Sequence, residues 1–242
     1  MLSIGAFKRK HIMINLARLS RFKNMHVGKR IVIVCNGPSL NAMGDLSFLN
    51  DEIVIGLNKI HLGLRRFGFY PRYLVAVNDK VILQDAAAVS AMTSVKFVPD
   101  RSAHLLPADS LTYHMRTRGL KKRFFHDITE GVSEGHTVTH AGLQIARYMG
   151  AAGVVIIGMD HRFQTTQAPD VAEFLHGPDP NHFDPGYFGD KYWDAPNLVE
   201  SERSYAISRA MFEAEGRYII DATPEGSCQI FEKRDWREIF KL

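Results

Sequence analysis

Cysteine is scarce in this chain: only Cys35 and Cys228 occur among 242 residues. They lie far apart and at no metal-ligand spacing, which excludes a disulfide framework and a zinc ribbon and fits a reducing compartment. No apolar run approaches the roughly 18 residues that a membrane-crossing helix needs. Met1-Leu2-Ser3-Ile4 leads into Lys8-Arg9-Lys10 with no signal-peptide core behind it, so a cytoplasmic protein is expected. There is no G-x-x-x-x-G-K-[ST] loop, and no G-x-G-x-x-G follows the first apolar run, which disfavours a P-loop enzyme and an ordinary dinucleotide dehydrogenase. Internal repeats and low-complexity tracts are missing as well. The formal net charge of +4 is too small to argue for nucleic acid as a partner, and acidic small molecules suit it equally.

One absence is local. From Met1 to Arg30 there is no Asp or Glu, while Lys8, Arg9, Lys10, Arg18, Arg21, Lys23, Lys29 and Arg30 alternate with Ile12, Ile14, Leu16, Leu19 and Phe22. Residues 1–28 therefore read as a basic arm or helix. It either packs against the domain or a second copy in a homo-oligomer, or touches an anionic membrane surface peripherally.

What is present is a core. A hydrophobic fraction of 45% over this length supports one sizeable domain, which we place at residues 29–242. Short β-branched runs alternate with helical stretches: Arg30 to Cys35, Glu52 to Leu57, Tyr73 to Val77, Val95 to Val98, Val154 to Ile157 and Tyr218 to Ile220. Their continuous hydrophobicity suits strands buried on both faces, so the expected fold is α/β, a Rossmann-like, mostly parallel sheet flanked by helices. Helices are expected from His140 to Met149, ending at Gly150, and from about Asn197 to Glu215. Residues 164–193, rich in Pro and Gly, read as a long lid-like loop with at most a short helix near Val171 to Leu175.

In an open parallel sheet, ligands sit beyond the carboxyl ends of the strands. Polar residues immediately after strands are Asn36-Gly37-Pro38-Ser39, Asn58, Asn78-Asp79 and Gly158-Met159-Asp160-His161-Arg162. Gly37 lets a backbone approach closely, Pro38 stiffens the turn, and each Asn can donate and accept hydrogen bonds. For any single Asn, a turn or cap is the plainer role. A second candidate is Thr137-Val138-Thr139, where helix-terminal N–H groups can hold a phosphate or Thr can simply cap. In the lid, His182 suits a general base and Tyr187 can steady a leaving phosphate, although a lone loop histidine is often only a surface residue. Gly131-Val132-Ser133-Glu134-Gly135 matches a nucleophile elbow, but Asp127-Ile128-Thr129-Glu130 before it is no apolar strand, and a serine hydrolase is set aside. Asp160 lacks an Asp-x-Asp neighbour, and no spacing demands a metal.

Taken together, Cys35-Asn36-Gly37-Pro38-Ser39-Leu40, Asn58, the Thr137 loop with its helix through Gly150, and Val155-Ile156-Ile157-Gly158-Met159-Asp160 resemble bacterial sialyltransferases of glycosyltransferase family 42. They also resemble the related 6-hydroxymethylpterin diphosphokinase-like domain, found too in motility-accessory flagellin glycosyltransferases. The resemblance runs from about Lys29 to Phe231. It implies donor contacts from Asn36, Asn58, Asn78 and the Thr137 loop, and inverting, metal-independent transfer that uses tyrosines for the departing phosphate and a histidine base. The chain departs from that pattern at Arg162, which stands where the first tyrosine is expected, and at Gly186, near the expected base. Arg162 can neutralise a leaving phosphate by bidentate contact.

The leading expectation is a glycosyltransferase that takes a nucleotide-sugar, of the CMP-sugar kind, to a surface-glycan or lipid-linked acceptor with no cofactor. Its catalytic residues would be His182, Arg162 and Tyr187. The alternatives are an ATP-dependent diphosphokinase, with Mg²⁺ on Asp160 and Asp79, and a nucleotide-binding module without catalysis.

Overall fold

The computed structural model describes residues 15–117 and 124–242. Lys8, Arg9, Lys10, Ile12 and Ile14 of the basic arm lie outside the described residues. Residues 15–20 are helical, and the stretch up to Gly28 turns back onto the domain. Leu19 and Phe22 are buried there, Phe22 meeting Phe97 and Tyr113 edge-on at centroid distances of 4.9 Å.

The strands are β1 (Arg30–Val34), β2 (Ile53–Leu57), β3 (Tyr73–Val75), β4 (Val95–Pro99), β5 (Thr112–Met115), β6 (Gly153–Ile157), β7 (Ala172–Leu175), β8 (Lys191–Asp194), β9 (Tyr218–Asp221) and β10 (Glu232–Lys233). From β1 onward the α-helices are α1 (Ser39–Met43), α2 (Leu64–Phe67), α3 (Asp79–Ala91), α4 (Val138–Tyr148), α5 (Leu198–Glu213) and α6 (Trp236–Phe240). Eight strands form one sheet in the order β10-β9-β6-β1-β2-β3-β4-β5, and every pairing in it is parallel. This is the α/β, Rossmann-like architecture expected from the alternating runs.

Strand alternation explains why the runs are apolar throughout. Ile31 and Ile33 face a core closed by Leu143, Ile145 and Phe212, whereas Val32 and Val34 face a second core with Leu40, Leu74 and Val155. Fully burying each such side chain contributes roughly 1.5–3 kcal/mol, so β1 anchors both layers. Chain order reverses on either side of β1, between β6 and β2. That makes a topological switch point, where a crevice opens at the carboxyl ends.

The segment near Val171 to Leu175, expected as loop with at most a short helix, is instead β7, paired antiparallel with β8 in the register Glu173↔Trp193 and Phe174↔Tyr192. The cause is nonlocal: Phe174 and Tyr192 stack edge-on at 5.1 Å across the pair, so a partner some twenty residues downstream selects the extended form. β5, β10 and α3 had no counterpart in the sequence reading.

Candidate functional site

At the end of β1 the chain turns at Asn36. Gly37 N donates to Gly158 O at 2.8 Å, joining the ends of β1 and β6. A Cβ on Gly37 would stand 1.8 Å from Asp160 Oδ2 and 2.7 Å from Gly158 O, so what approaches this glycine is the Asp160 carboxylate. Asp160 takes Ser39 Oγ at 2.6 Å and Ser39 N at 3.1 and 3.3 Å on its two oxygens. Burial pushes the Asp160 carboxyl up from its ordinary value, against the Ser39 hydrogen bonds and the nearby Arg162 charge. Asp160, placed by sequence among the donor contacts, thus lines the crevice with its carboxylate committed to the turn. Pro38 and Ser39 sit behind the lining.

Asn36 behaves differently. Its Nδ2 donates to Leu57 O at 2.9 Å, which orients the amide, and its Oδ1 is buried without a hydrogen-bond partner. Asn58, at φ +47°, also carries a buried Oδ1 without a partner. Both line a cavity of about 500 Å³ at the switch point. Two buried acceptors left open in one wall cost stability unless a ligand donates to them. Asn78 lines the cavity too, but its Oδ1 caps α3 by accepting from Val81 N at 3.1 Å. Thr137 likewise caps α4, accepting from Thr139 N at 3.3 Å and pairing with Tyr205 Oη at 3.0 Å. Thr137, Val138 and Thr139 therefore bring the positive end of α4 to the cavity wall.

Residues 163–197 close the other side. Tyr187 is buried against β2, and Lys59 N approaches its hydroxyl at 3.4 Å. Burial raises the Tyr187 pKa. Lys59, itself without exposed surface, puts its Nζ 2.7 Å from Tyr187 O, Gln84 Oε1 and Asp85 Oδ2, and so fastens the lid to the sheet. His182 stacks flat on the Tyr187 ring at 3.9 Å and bonds Asp179 through Nδ1 at 2.8 Å. Both His182 and Tyr187 line the cavity, whereas Arg162 is exposed and lies outside its lining. Ser133 of the set-aside elbow motif is buried, with its backbone held by Gln144.

With that geometry in place, the relatives fall into order. A family model described as 6-hydroxymethylpterin diphosphokinase MptE-like matches residues 10–166, more than half of the chain. The chain belongs to the MptE-like family. A MAf glycosyltransferase from Magnetospirillum magneticum AMB-1 has a similar structure, with a TM-score of 0.56 at 14% identity over 93% of this chain. The chain spans 38% of that protein's length, and the likeness is one of fold. No curated protein matches in sequence.

In this MptE-like chain the family match takes in the strand-end wall with Asn36, Asn58 and Asp160, and ends before His182 and Tyr187. Asp179, behind the cavity lining, was not a candidate in the sequence, whereas His136 and His161 stood inside the Thr137 loop and the segment after β6 with no role of their own. Asp179 holds His182, and His136 and His161 pair with Asp170 and Glu202 at 3.2 and 3.1 Å. The i, i+3 spacing of Asp179 and His182 was the one readable signal; the other two pairs join residues 34 and 41 positions apart. Trp193, a residue of the lid-like loop, is buried in the wall with an unpartnered Nε1.

Proposed function

We propose that this protein is a glycosyltransferase that moves a sugar from a nucleotide-sugar to a hydroxyl of a glycan or lipid-linked acceptor. The observation that carries the reading is the pairing of walls in one cavity. The lid presents a carboxylate-held imidazole, His182, to the same cavity as the strand-end acceptors Asn36 Oδ1 and Asn58 Oδ1. A volume of about 500 Å³ suits a nucleotide-sugar.

In this reading the nucleotide's amino and hydroxyl groups donate to Asn36 and Asn58, and its phosphate lies at the N-terminal turn of α4. His182 Nε2 takes the proton of the acceptor hydroxyl. That oxygen attacks the anomeric carbon as the bond to the phosphate oxygen breaks, with inversion and no metal. Tyr187 backs the imidazole through the flat stack. The choice of a CMP-sugar rests on the likeness of the strand-end motifs to sialyltransferases. The basic arm would hold the enzyme near an anionic membrane surface where a lipid-linked acceptor lies. No helix among the described residues is long and apolar enough to cross a membrane.

The family's name favours a second reading, transfer of diphosphate from ATP with Mg²⁺. For that, the two carboxylates in view would each have to leave a partner: Asp160 leaves Ser39, and Asp79 leaves Arg101, which donates to it at 2.7 Å. Among the described residues, no group of three or more His, Cys, Asp or Glu is placed to hold a metal ion. Calorimetry against CMP, CDP, UDP, GDP and ATP, each with and without Mg²⁺, separates the readings. Metal-independent binding of CMP supports glycosyl transfer, ATP binding only with Mg²⁺ transfers the case to the diphosphokinase, and no binding sinks both. A third possibility, binding without catalysis, predicts that His182→Gln keeps nucleotide affinity with no turnover to lose.

A further inference from the structure

Three histidines line the cavity, and each is paired with a carboxylate: His136 with Asp170, His161 with Glu202 and His182 with Asp179. The pairs differ in the carboxylate. The Asp170 and Glu202 side chains are 48% and 44% exposed, so water screens and competes for them. The Asp179 side chain is 0% exposed and its pair is the shortest, at 2.8 Å.

Asp179 is also over-determined. Its Oδ1 accepts from Asn181 N at 2.8 Å, and its Oδ2 accepts from Phe188 N at 3.0 Å as well as from His182 Nδ1. Burial opposes ionisation of this carboxyl, but the His182 contact and the two backbone N–H groups outweigh it and hold the pKa below the ordinary value. An ionised carboxylate can only accept. The proton of a neutral His182 must then sit on Nδ1, leaving the Nε2 lone pair free. The Tyr187 ring, 3.9 Å away and within 1° of parallel, removes the remaining freedom of the imidazole plane.

We infer that Asp179 is the positioning residue that makes His182, rather than His136 or His161, the base of this cavity. The inference rests on the glycosyl-transfer reading for the word base, while the tautomer it requires stands independently of that reading. His161 spends Nε2 on Glu202, and burial lowers its pKa. His136 meets a carboxylate half exposed to water, at 3.2 Å rather than 2.8 Å.

The test uses the full chain labelled with ¹⁵N-histidine, with His182 assigned by loss of its signals in His182→Gln. Long-range ¹H–¹⁵N spectra at about pH 8.5, above the ordinary histidine range, should show the Nδ1–H form in the unmodified protein. An Nε2–H form at the signals assigned to His182 overturns the inference whatever the protein's activity. In parallel, Asp179→Asn should lower kcat by about 100-fold with nucleotide Kd changed less than about 2-fold, and should weaken the Nδ1–H signature. An unchanged kcat overturns the positioning role. Absence of turnover in the unmodified protein with every nucleotide-sugar sinks the glycosyl-transfer reading, and the spectra still decide the tautomer.

Discussion

The two walls of the cavity are held by different physics. The strand-end wall grows out of β1, β2 and β6, whose backbone ladders and two apolar faces would place Asn36, Asn58 and Gly158 with or without a ligand. The lid wall, residues 163–197, is joined to the sheet at fewer points: Phe183 enters one core and its backbone meets Asn36 O and Asn41, Tyr187, Phe188 and Trp193 pack on Val81, and Lys59 holds Tyr187 O. One wall is therefore part of the core, and the other is joined to it by a few apolar contacts and a handful of hydrogen bonds, each bond contributing about 0.5–1.5 kcal/mol, or about 1.5–3 where a charge takes part. A donor site belongs on the first, and a base that must approach and leave an acceptor belongs on the second.

The comparison is broken most severely at Gly37. Gly37→Ala places a methyl 1.8 Å from Asp160 Oδ2 and 2.7 Å from the Gly158 carbonyl, and the backbone atom cannot yield without opening the β1–β6 junction. We expect a loss of about 3 kcal/mol in chemical denaturation, with the strand-end wall and the lid lost together, because the lid hangs from Asn36 O and Asn41 through Phe183. The converse variant is Lys59→Met. Removing the ammonium strands Tyr187 O and Asp85, at a cost of about 2 kcal/mol. That loss should appear as faster hydrogen exchange in residues 179–194, with the β1, β2 and β6 amides unchanged. Equal acceleration in both walls would show that they are one cooperative unit.

These same differences decide what the sequence could disclose. β1, β2, β3, β4, β6 and β9 announce themselves through runs such as Arg30–Val34, because a strand buried on both faces must be apolar at every position. The switch point and the residues just past the strands follow from that periodicity, which is why Asn36 and Asn58 were readable as candidates. Gly37 was read as making room for a ligand, whereas the room goes to Asp160, and Asn78 carries the cap that is the plainer role of its kind. The lid was illegible in detail. Phe174 extends because Tyr192 lies across from it, and Asp179 is held by His182 and Phe188 N while Tyr187 and Phe188 pack on the imidazole. The Phe174–Tyr192 pairing joins positions 18 apart, and no short-range pattern within residues 164–193 announces it.

Acid should separate the walls further, because their two buried aspartates shift in opposite directions. Asp160 has its folded pKa raised above the ordinary 3.8, so its contribution to stability is complete below that value and is lost as pH rises through the folded pKa. Asp179 has its folded pKa lowered from 3.8, so its contribution is present above that value and is lost as pH falls through the folded pKa. Lowering the pH from 5 to about 3 should loosen the lid first. The change would be read as an early change in Trp193 fluorescence ahead of the loss of far-ultraviolet ellipticity. Coincident transitions would refute the separation.

The smallest effect on stability, and the sharpest on function, is expected at Asn58. Its φ of +47° lies in the left-handed region that glycine enters without strain, so Asn58→Gly offsets relief at the backbone against added chain entropy. Stability should move by less than about 1 kcal/mol, because the deleted Oδ1 has no partner to lose in the free protein. Nucleotide affinity should nevertheless fall by about 10-fold, the worth of one well-made hydrogen bond. Unchanged affinity for every nucleotide that binds the unmodified protein would remove Asn58 from the donor site. The strand-end wall would then act as a floor beneath the ligand, with recognition resting on Asn36 and α4.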